Sequence, residues 1–179
     1  MNPLDYEKLS KEDFDAVVTG ELTHYAIWLE HGVIDIITDY FLGKSKRRED
    51  FKRLILLRDG LTFQDKLEIA RAMIPLLEPR ASQVGLSSLL KQIENYKSYR
   101  NAFAHGVDAS AQASGNHLRV ELVSRSGKTK TVEVTSASHR KTMTDAQHLL
   151  EALTEARKQL AAVSQETASK AEANAFQKR

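Results

Sequence analysis

Apolar residues recur every three or four positions through most of this chain, which is the spacing of amphipathic α-helices. The strongest such segment, residues 21–42, is apolar around more than half of its circumference. A helix of this kind is central in a fold or shared with a partner. The predicted helices are, in chain order, one from Lys11, one over 21–42, a short one around Phe51, one after Thr62, one over 86–105 and one over 142–163.

Local signals mark where several of these helices begin and end. Ser10 and Thr62 are N-cap residues, each followed three positions later by an aspartate that can complete a capping box. Gly43 ends the long apolar helix. Pro75 and Pro79 end or kink the helix that Thr62 begins.

One segment has the two-residue period of β-strands instead. Its alternating apolar residues are Leu118, Val120 and Leu122 on one arm and Val132 and Val134 on the other. Ser126 and Gly127 form the turn between the arms. The pattern predicts an all-α, mostly helical fold: a helical bundle of about five helices with a short β-hairpin, at about 117–135, inserted before the last long helix.

Length and composition describe an ordinary globular chain. Its 179 residues predict a single domain over 1–163, followed by a polar C-terminal tail over 164–179. The net charge of +2 is too small to indicate nucleic-acid binding by itself. The absence of cysteine excludes disulfides and thiolate metal sites and fits a cytoplasmic location. No stretch has the pattern of a signal peptide or the length of a membrane span, so no membrane partner is predicted.

The helix over 86–105 carries an arginine in an unexpected place. Its apolar stripe continues, at about 100° per residue, onto Tyr96, Lys97, Arg100 and Ala104. Because an unpaired guanidinium is costly to bury, Arg100 needs an anionic partner. No carboxylate lies one turn away in the same helix. The partner therefore belongs to another helix, to another chain or to a ligand.

A histidine lies at the end of the same helix. Gly106 is a natural residue to follow a helix, which places His105 in the last turn. There the helix dipole favours the protonated imidazole, by typically ~0.3–1 kcal/mol. Asn101 lies one turn earlier, close enough to orient the ring. An arginine binds phosphate oxygens with a planar fork of donors, and a histidine exchanges a proton near neutral pH. The pair suits cleavage of a phosphodiester without a metal.

The spacing of these two residues indicates a composite site. Arg100 and His105 are five residues apart, which is about 7.5 Å along a helix and about 140° around it. One helix cannot easily direct both at one phosphate. Two copies packed about a two-fold axis can place each arginine beside the other chain's histidine. We therefore expect a homodimer that forms through these helices.

The run Arg100-Asn101-x-x-x-His105, late in a helix of a small helical domain, resembles the signature of the HEPN superfamily. That signature is an arginine, often with a polar residue directly after it, and a histidine after four to six further residues. The trailing Ala104-His105-Gly106 is similar as well. The resemblance covers roughly residues 20–107 and the C-terminal helix. The hairpin departs from the simplest pattern of the family.

The resemblance implies a bundle that dimerises through the motif helices and, in many members, a metal-independent endoribonuclease of toxin–antitoxin, phage-defence or RNA-processing systems. His105 would act as general base on the RNA 2′-hydroxyl or as general acid toward the leaving 5′-oxygen. Arg100 would bind the scissile phosphate, and Asn101 would orient the histidine or contact the phosphate. The products would carry 2′,3′-cyclic phosphate. An antitoxin or a defence-complex protein is the further partner that the resemblance implies.

Two alternatives remain open. The first keeps the fold without the chemistry, as a non-catalytic HEPN-fold module that binds RNA or a protein. The second is a helical interaction protein in which Arg100 pairs with a buried acid, such as Asp35 or Asp39, and His105 only caps its helix.

Residues beside the motif are weaker candidates for substrate binding. Lys97 would be a peripheral contact. Tyr96 and Tyr99 can stack on bases, although tyrosines at helical spacing are more often packing residues.

Three further clusters are more often structural than functional. The basic residues at 46–48, and those at 128 and 130 with Arg125, can contact an RNA backbone, although such charges usually only solvate a loop or a strand edge. His24 and His31 share a helix face but lie ~10.5 Å apart along it, too far for one metal ion. No metal and no cofactor is predicted.

Overall fold

A computed structural model gives the fold of residues 4–109, 117–123 and 127–176, and the side chains of these residues except 122, 123 and 162–176. In this part of the chain the α-helices are α1 (Lys11–Leu42), α2 (Arg48–Phe51), α3 (Phe63–Ala72), α4 (Arg80–Gln83), α5 (Leu86–His105) and α6 (Ser136–Phe176). A π-helical turn, Lys52–Leu56, continues α2. None of the helices among the described residues combines the length and apolar character needed to cross a bilayer.

Three strands form one small antiparallel sheet. Strands β1 (Val107–Asp108), β2 (Leu118–Val123) and β3 (Thr129–Val134) lie in that order. Leu118 pairs with Val134 across β2 and β3, and both side chains are buried. The mostly α fold, with a short hairpin before the last long helix, is confirmed. Strand β1 was not predicted, because two residues are too few to show a period.

The first long helix is continuous, where the sequence pattern suggested two segments. Phe14, Val18 and Leu22 are all buried and follow one another at four-residue intervals, so they carry the apolar stripe through the polar stretch at the start of α1. The predicted cap is confirmed, because the Asp13 amide donates to Ser10 Oγ at 3.1 Å. The capping box of Thr62 and Asp65 at the start of α3 is confirmed too.

The last helix begins six residues earlier than predicted, at Ser136 rather than Thr142. The Ser138 amide donates to Thr135 Oγ1 at 3.1 Å, and the Thr135 amide donates to Ser138 Oγ at 2.9 Å. These reciprocal bonds start the helix without an acidic residue at the third position. The backbone of the predicted polar tail continues α6 as far as Phe176, and residues 177–179 lie outside the described part.

The chain forms two compact units, each built of two segments. The first unit comprises residues 1–27 and 95–148, and the second unit comprises residues 28–94 and 149–179. Buried side chains of the first unit include Tyr6, Phe14, Leu22, Tyr96, Ala102, Val134, His139 and Ala146. Those of the second unit include Leu29, Ile37, Leu67, Met73, Leu90, Ile93 and Leu153.

Candidate active site at the end of α5

The three residues of the Arg-Asn-x-x-x-His motif lie in the last two turns of α5, in the first unit. Arg100 and Asn101 are half-buried, whereas His105 is exposed. Ala102 is buried on the core side of the same turn. The helix thus holds Arg100 partly against the protein and presents His105 to the outside.

Arg100 has few interactions for a half-buried arginine. Its Nη1 donates to Asn101 Oδ1 at 3.2 Å. Its Nε is buried and has no hydrogen-bond partner among the described residues. No carboxylate in the described part of the chain lies within ion-pair distance of this guanidinium. A buried donor without a partner costs free energy of folding, so the position is unfavourable unless an acceptor comes from outside these residues.

The two aspartates that the second alternative assigned to Arg100 have other partners, within the second unit. Arg157 Nε lies 2.6 Å from Asp39 Oδ2, and its Nη1 binds Asp35. Arg48 also binds Asp39, and Lys52 Nζ lies 2.7 Å from Asp35 Oδ1. Burial raises the pKa of Asp39, but hydrogen bonds from Arg157 and Arg48 outweigh it and leave the pKa below its ordinary value.

Asn101 contacts the arginine rather than the histidine. Because Asn101 Oδ1 accepts from Arg100 Nη1, the amide holds the guanidinium in place. Two roles were predicted for Asn101, orienting the histidine or contacting the phosphate, and this bond adds a third, the positioning of Arg100. No side chain in the described ranges is hydrogen-bonded to the His105 ring, which leaves the ring free to turn toward a ligand.

Gly106 is required by close packing and not by its backbone conformation. The backbone φ of Gly106 is not positive, so this residue does not adopt the left-handed conformation that is common after a helix. A Cβ atom at this position would lie 2.1 Å from Val120 Cγ1 and 2.5 Å from the Ala102 carbonyl oxygen. Strand β2 therefore passes directly over the end of α5, and this contact fixes the helix end that carries His105.

Of the three residues predicted to bind substrate beside the motif, one is in the core. Tyr96 is buried, and its hydroxyl donates to the Leu22 carbonyl at 3.2 Å. Burial, followed by the neighbouring Tyr25, raises the pKa of Tyr96. A ring covered in this way has no free face on which a base can stack, so we do not keep Tyr96 as a substrate contact.

The other two flanking residues are more accessible. Tyr99 and Lys97 are half-buried. The Tyr99 ring lies 5.2 Å from the Phe103 ring, centroid to centroid, and burial raises the pKa of Tyr99. Both rings are half-buried and so partly accessible, and Tyr99 remains compatible with a base contact.

The remaining sequence candidates do not converge on the motif. Lys128 and Lys130 are exposed, and Arg125 lies outside the described residues. His24 and His31 are exposed on α1. Across residues 4–109, 117–123 and 127–176, no group of three or more potential ligands is arranged to hold a metal ion.

Two acidic features of the first unit were not found from the sequence. Burial, followed by the negative charge of Asp108, raises the pKa of Asp15. Asp108 follows His105 by three residues, so a carboxylate pair lies in the part of the chain next to the motif. His139 is fully buried, with Nε2 2.6 Å from Glu21 Oε2. Both pairings join residues about a hundred positions apart, which no local pattern can indicate.

Comparisons with protein-family models, with curated proteins and with solved structures give no match to this chain.

Proposed function

We propose that this protein is a metal-independent endoribonuclease of the HEPN type, with a composite active site at a homodimer interface and a role in phage defence or a toxin–antitoxin system. The observation that carries the proposal is the state of Arg100. This arginine is half-buried, is held by Asn101 and has a buried Nε without an acceptor in the described part of the chain. A phosphate oxygen is the acceptor that a guanidinium of this kind binds best.

The reaction needs one proton acceptor, one proton donor and a cation. The RNA 2′-oxygen attacks the adjacent phosphorus while its proton passes to a neutral His105 imidazole. The bond from phosphorus to the 5′-oxygen breaks, and the leaving oxygen takes up a proton from a protonated imidazole or from water. The products are a 2′,3′-cyclic phosphate and a 5′-hydroxyl, and the proposed reaction uses no metal ion.

The role of Arg100 is to stabilise the negative charge that develops on the phosphate. The non-bridging oxygens gain negative charge as the phosphorus becomes five-coordinate, and a guanidinium already fixed in place stabilises them without reorganising. Asn101 is a positioning residue for that guanidinium. The half-buried Tyr99 and Lys97 are the flanking contacts that support binding of a base and of a neighbouring phosphate.

The test is an RNA-cleavage assay on the purified protein, with a 5′-labelled single-stranded RNA. We expect Arg100→Ala and His105→Ala each to lower the cleavage rate by at least about a hundredfold, since each removes a group that acts in the transition state. His148→Ala replaces another exposed histidine and serves as the matched control, with an unchanged rate. A chelator is expected to leave the rate unchanged and the products to carry cyclic phosphate.

Two results would contradict the assignment. One is undiminished cleavage by both motif variants, which would assign the activity to a contaminant or to other residues. The other is loss of cleavage in the presence of a chelator, which would indicate a metal-dependent reaction.

One observation favours the alternative of a non-catalytic HEPN-fold module that binds RNA. The His105 ring has no orienting hydrogen bond from the described side chains, and catalytic imidazoles are usually held by one. That module would bind the labelled RNA stoichiometrically, in an Arg100-dependent way, without turnover.

A further inference from the structure

The helical segment after α1 exposes apolar side chains. Within α2 and the π-helical turn, Lys52 Nζ binds Asp35 and Leu56 is buried, so these two side chains point inward. Leu54 and Ile55, in contrast, are 57% and 53% exposed. A leucine that lines a groove is covered from two sides. Side chains that are more than half exposed therefore stand on the outside of the segment and not in a cleft.

Aromatic side chains extend this apolar surface to the end of α1. Phe51 precedes Leu54 and Ile55 by about one helical turn, so the three side chains are neighbours. The Phe51 ring lies 6.3 Å from the ring of Phe41, centroid to centroid, and Phe41 is exposed. Leu57, directly after the π-helical turn, is exposed as well. Contiguous exposed apolar groups of this size mark an interaction surface. We call these five residues the Leu54 face.

Basic residues border the Leu54 face. The connector from α1 to α2 carries Lys44, Lys46 and Arg47, which are exposed and make no ion pair with the residues that the structure describes. At the other end of the segment Arg58 is exposed, with the exposed Asp59 beside it. The unmatched positive charge therefore lies mainly in the connector, next to Phe41.

The two acidic residues within the segment are matched by its own cations. Asp50 Oδ1 lies 3.6 Å from Arg53 Nη2, and Glu49 Oε1 lies 3.6 Å from Lys52 Nζ. These carboxylates consequently do not cancel the charge of the connector. The surface as a whole combines protruding apolar groups with a net positive border.

We infer that the Leu54 face binds the anionic surface of a phospholipid bilayer. Aliphatic and aromatic side chains on the outside of a helix enter the boundary between headgroups and acyl chains, and lysine and arginine beside them attract anionic headgroups. Either contribution alone gives weak binding, and the two together hold a protein at the membrane. The juxtaposition of Leu54 and Ile55 with the connector cations is what assigns the partner.

Two other anionic partners fit this surface less well. An RNA would match the charge, but leucine and isoleucine offer no ring on which a base can stack. An acidic protein would need pockets shaped to receive the protruding side chains, whereas a fluid bilayer needs no matching shape. The absence of a membrane partner was predicted from the lack of a spanning segment, and a contact at the membrane surface requires no such segment.

This contact does not rest on the proposed ribonuclease activity. Every residue of the Leu54 face belongs to the second unit, whereas the catalytic motif belongs to the first. Binding to vesicles is also measured without RNA. Failure of one proposal therefore leaves the other unaffected.

Flotation of the full chain with lipid vesicles tests the inference. At about 0.1 M salt, we expect phosphatidylcholine vesicles with about one third phosphatidylglycerol to bind the chain at least about tenfold more strongly than vesicles of phosphatidylcholine alone. Leu54→Gln should lower the partition coefficient about three- to tenfold, because an apolar group no longer enters the bilayer. Lys46→Gln should lower it about three- to fivefold, through the loss of one cation near the anionic surface.

Matched controls come from the first unit. Leu4→Gln replaces another exposed leucine, and Lys141→Gln removes the same charge from an exposed position of α6. Both variants should bind the anionic vesicles as the wild type does. Circular dichroism verifies that all four variants fold.

A fluorescent label distinguishes insertion from adhesion by charge alone. Because the chain has no cysteine, Leu54→Cys provides a single thiol for a dye whose emission depends on its surroundings. We expect the emission to shift to shorter wavelength when anionic vesicles are added, since the dye leaves water. The same dye attached to the Leu4→Cys variant should show no shift.

Four results would overturn the inference. They are equal binding to anionic and neutral vesicles, vesicle binding that Leu54→Gln leaves unchanged, and a dye at position 54 that stays in water on the vesicles. The fourth is a chain that binds no vesicles but binds polyuridylate, polyglutamate or a second copy of itself through Leu54, which would assign the face to RNA, to an acidic protein or to self-association.

Discussion

At the scale of single residues, Arg100 and Arg157 show two opposite ways to hold a guanidinium. Arg157 binds Asp35 and Asp39, so its charge is matched within the second unit. Arg100 has an amide oxygen as its hydrogen-bond acceptor and a buried Nε without one in the described part of the chain. Arg100 thus lacks the ion pairs that Arg157 makes within its own unit, and we propose that its acceptor is a phosphate.

This difference predicts opposite effects on stability. Arg100→Met removes a buried donor without a partner, so we expect the free energy of unfolding to stay constant or to rise by up to about 1 kcal/mol. Arg157→Met removes one of the two cations that bind each of the partly buried carboxylates Asp35 and Asp39, so we expect a loss of about 1–2 kcal/mol. Urea denaturation, followed by circular dichroism at one protein concentration, measures both. A loss above about 1 kcal/mol in Arg100→Met would make Arg100 a structural residue and remove the main support for the active site.

The sequence located Arg100 well but not its surroundings. Helical periodicity placed it on the apolar stripe that passes through Tyr96, and the structure has Arg100 half-buried and Tyr96 in the core. Periodicity does not reveal which hydrogen bonds a side chain makes. The bond from Arg100 to Asn101 joins neighbours in the chain, yet the sequence equally allowed Asn101 to face His105.

At the scale of elements, the end of α5 depends on one glycine. The Cβ of an alanine at position 106 would meet a valine methyl of β2 and a backbone oxygen of α5, and the backbone atom cannot turn aside. We expect Gly106→Ala to lower the free energy of unfolding by about 2 kcal/mol or more, since overpacking displaces the strand or the helix end. The rate of RNA cleavage should fall as well, because a displaced helix end also displaces His105, the residue directly before Gly106.

Gly20 provides the matched control for that prediction. It lies within α1 in the same unit, and a Cβ there has no neighbour within 4 Å. Gly20→Ala should therefore raise the free energy of unfolding by about 0.5–1 kcal/mol, the usual gain of alanine over glycine inside a helix. Thermal or urea denaturation of both variants settles the comparison. Equal effects of the two substitutions would show that β2 does not constrain the helix end.

Helices and caps were predictable because their signals are local. Ser10 and Thr62 each carry an aspartate three residues later, and both caps are present. The start of α6 was missed because Thr135 and Ser138 close the same reciprocal cap without a carboxylate. Strand β1 was missed because its two residues form a strand only through pairing with β2, and they are too few to show an alternating pattern in the sequence. Contacts between distant segments decide these details.

At the scale of the whole molecule, the proposed active site needs more than one copy of the motif helix. Helical geometry separates Arg100 from His105 by about 140° around α5, so the two side chains of one chain diverge. The sequence could indicate a composite site only through this spacing. It could not indicate that Leu54 and Ile55 are exposed, because exposure depends on which side of this helical segment the rest of the second unit covers.

The most direct test of the composite site is to mix two inactive variants. Arg100→Ala and His105→Ala proteins are unfolded together, refolded at equal amounts and assayed for RNA cleavage. In a mixed dimer one site lacks both groups, and the other site has an intact arginine from one chain and an intact histidine from the other. Since about half of the dimers are mixed and half of their sites are whole, the mixture should recover about a quarter of the wild-type activity. A mixture as inactive as its two components would contradict the account.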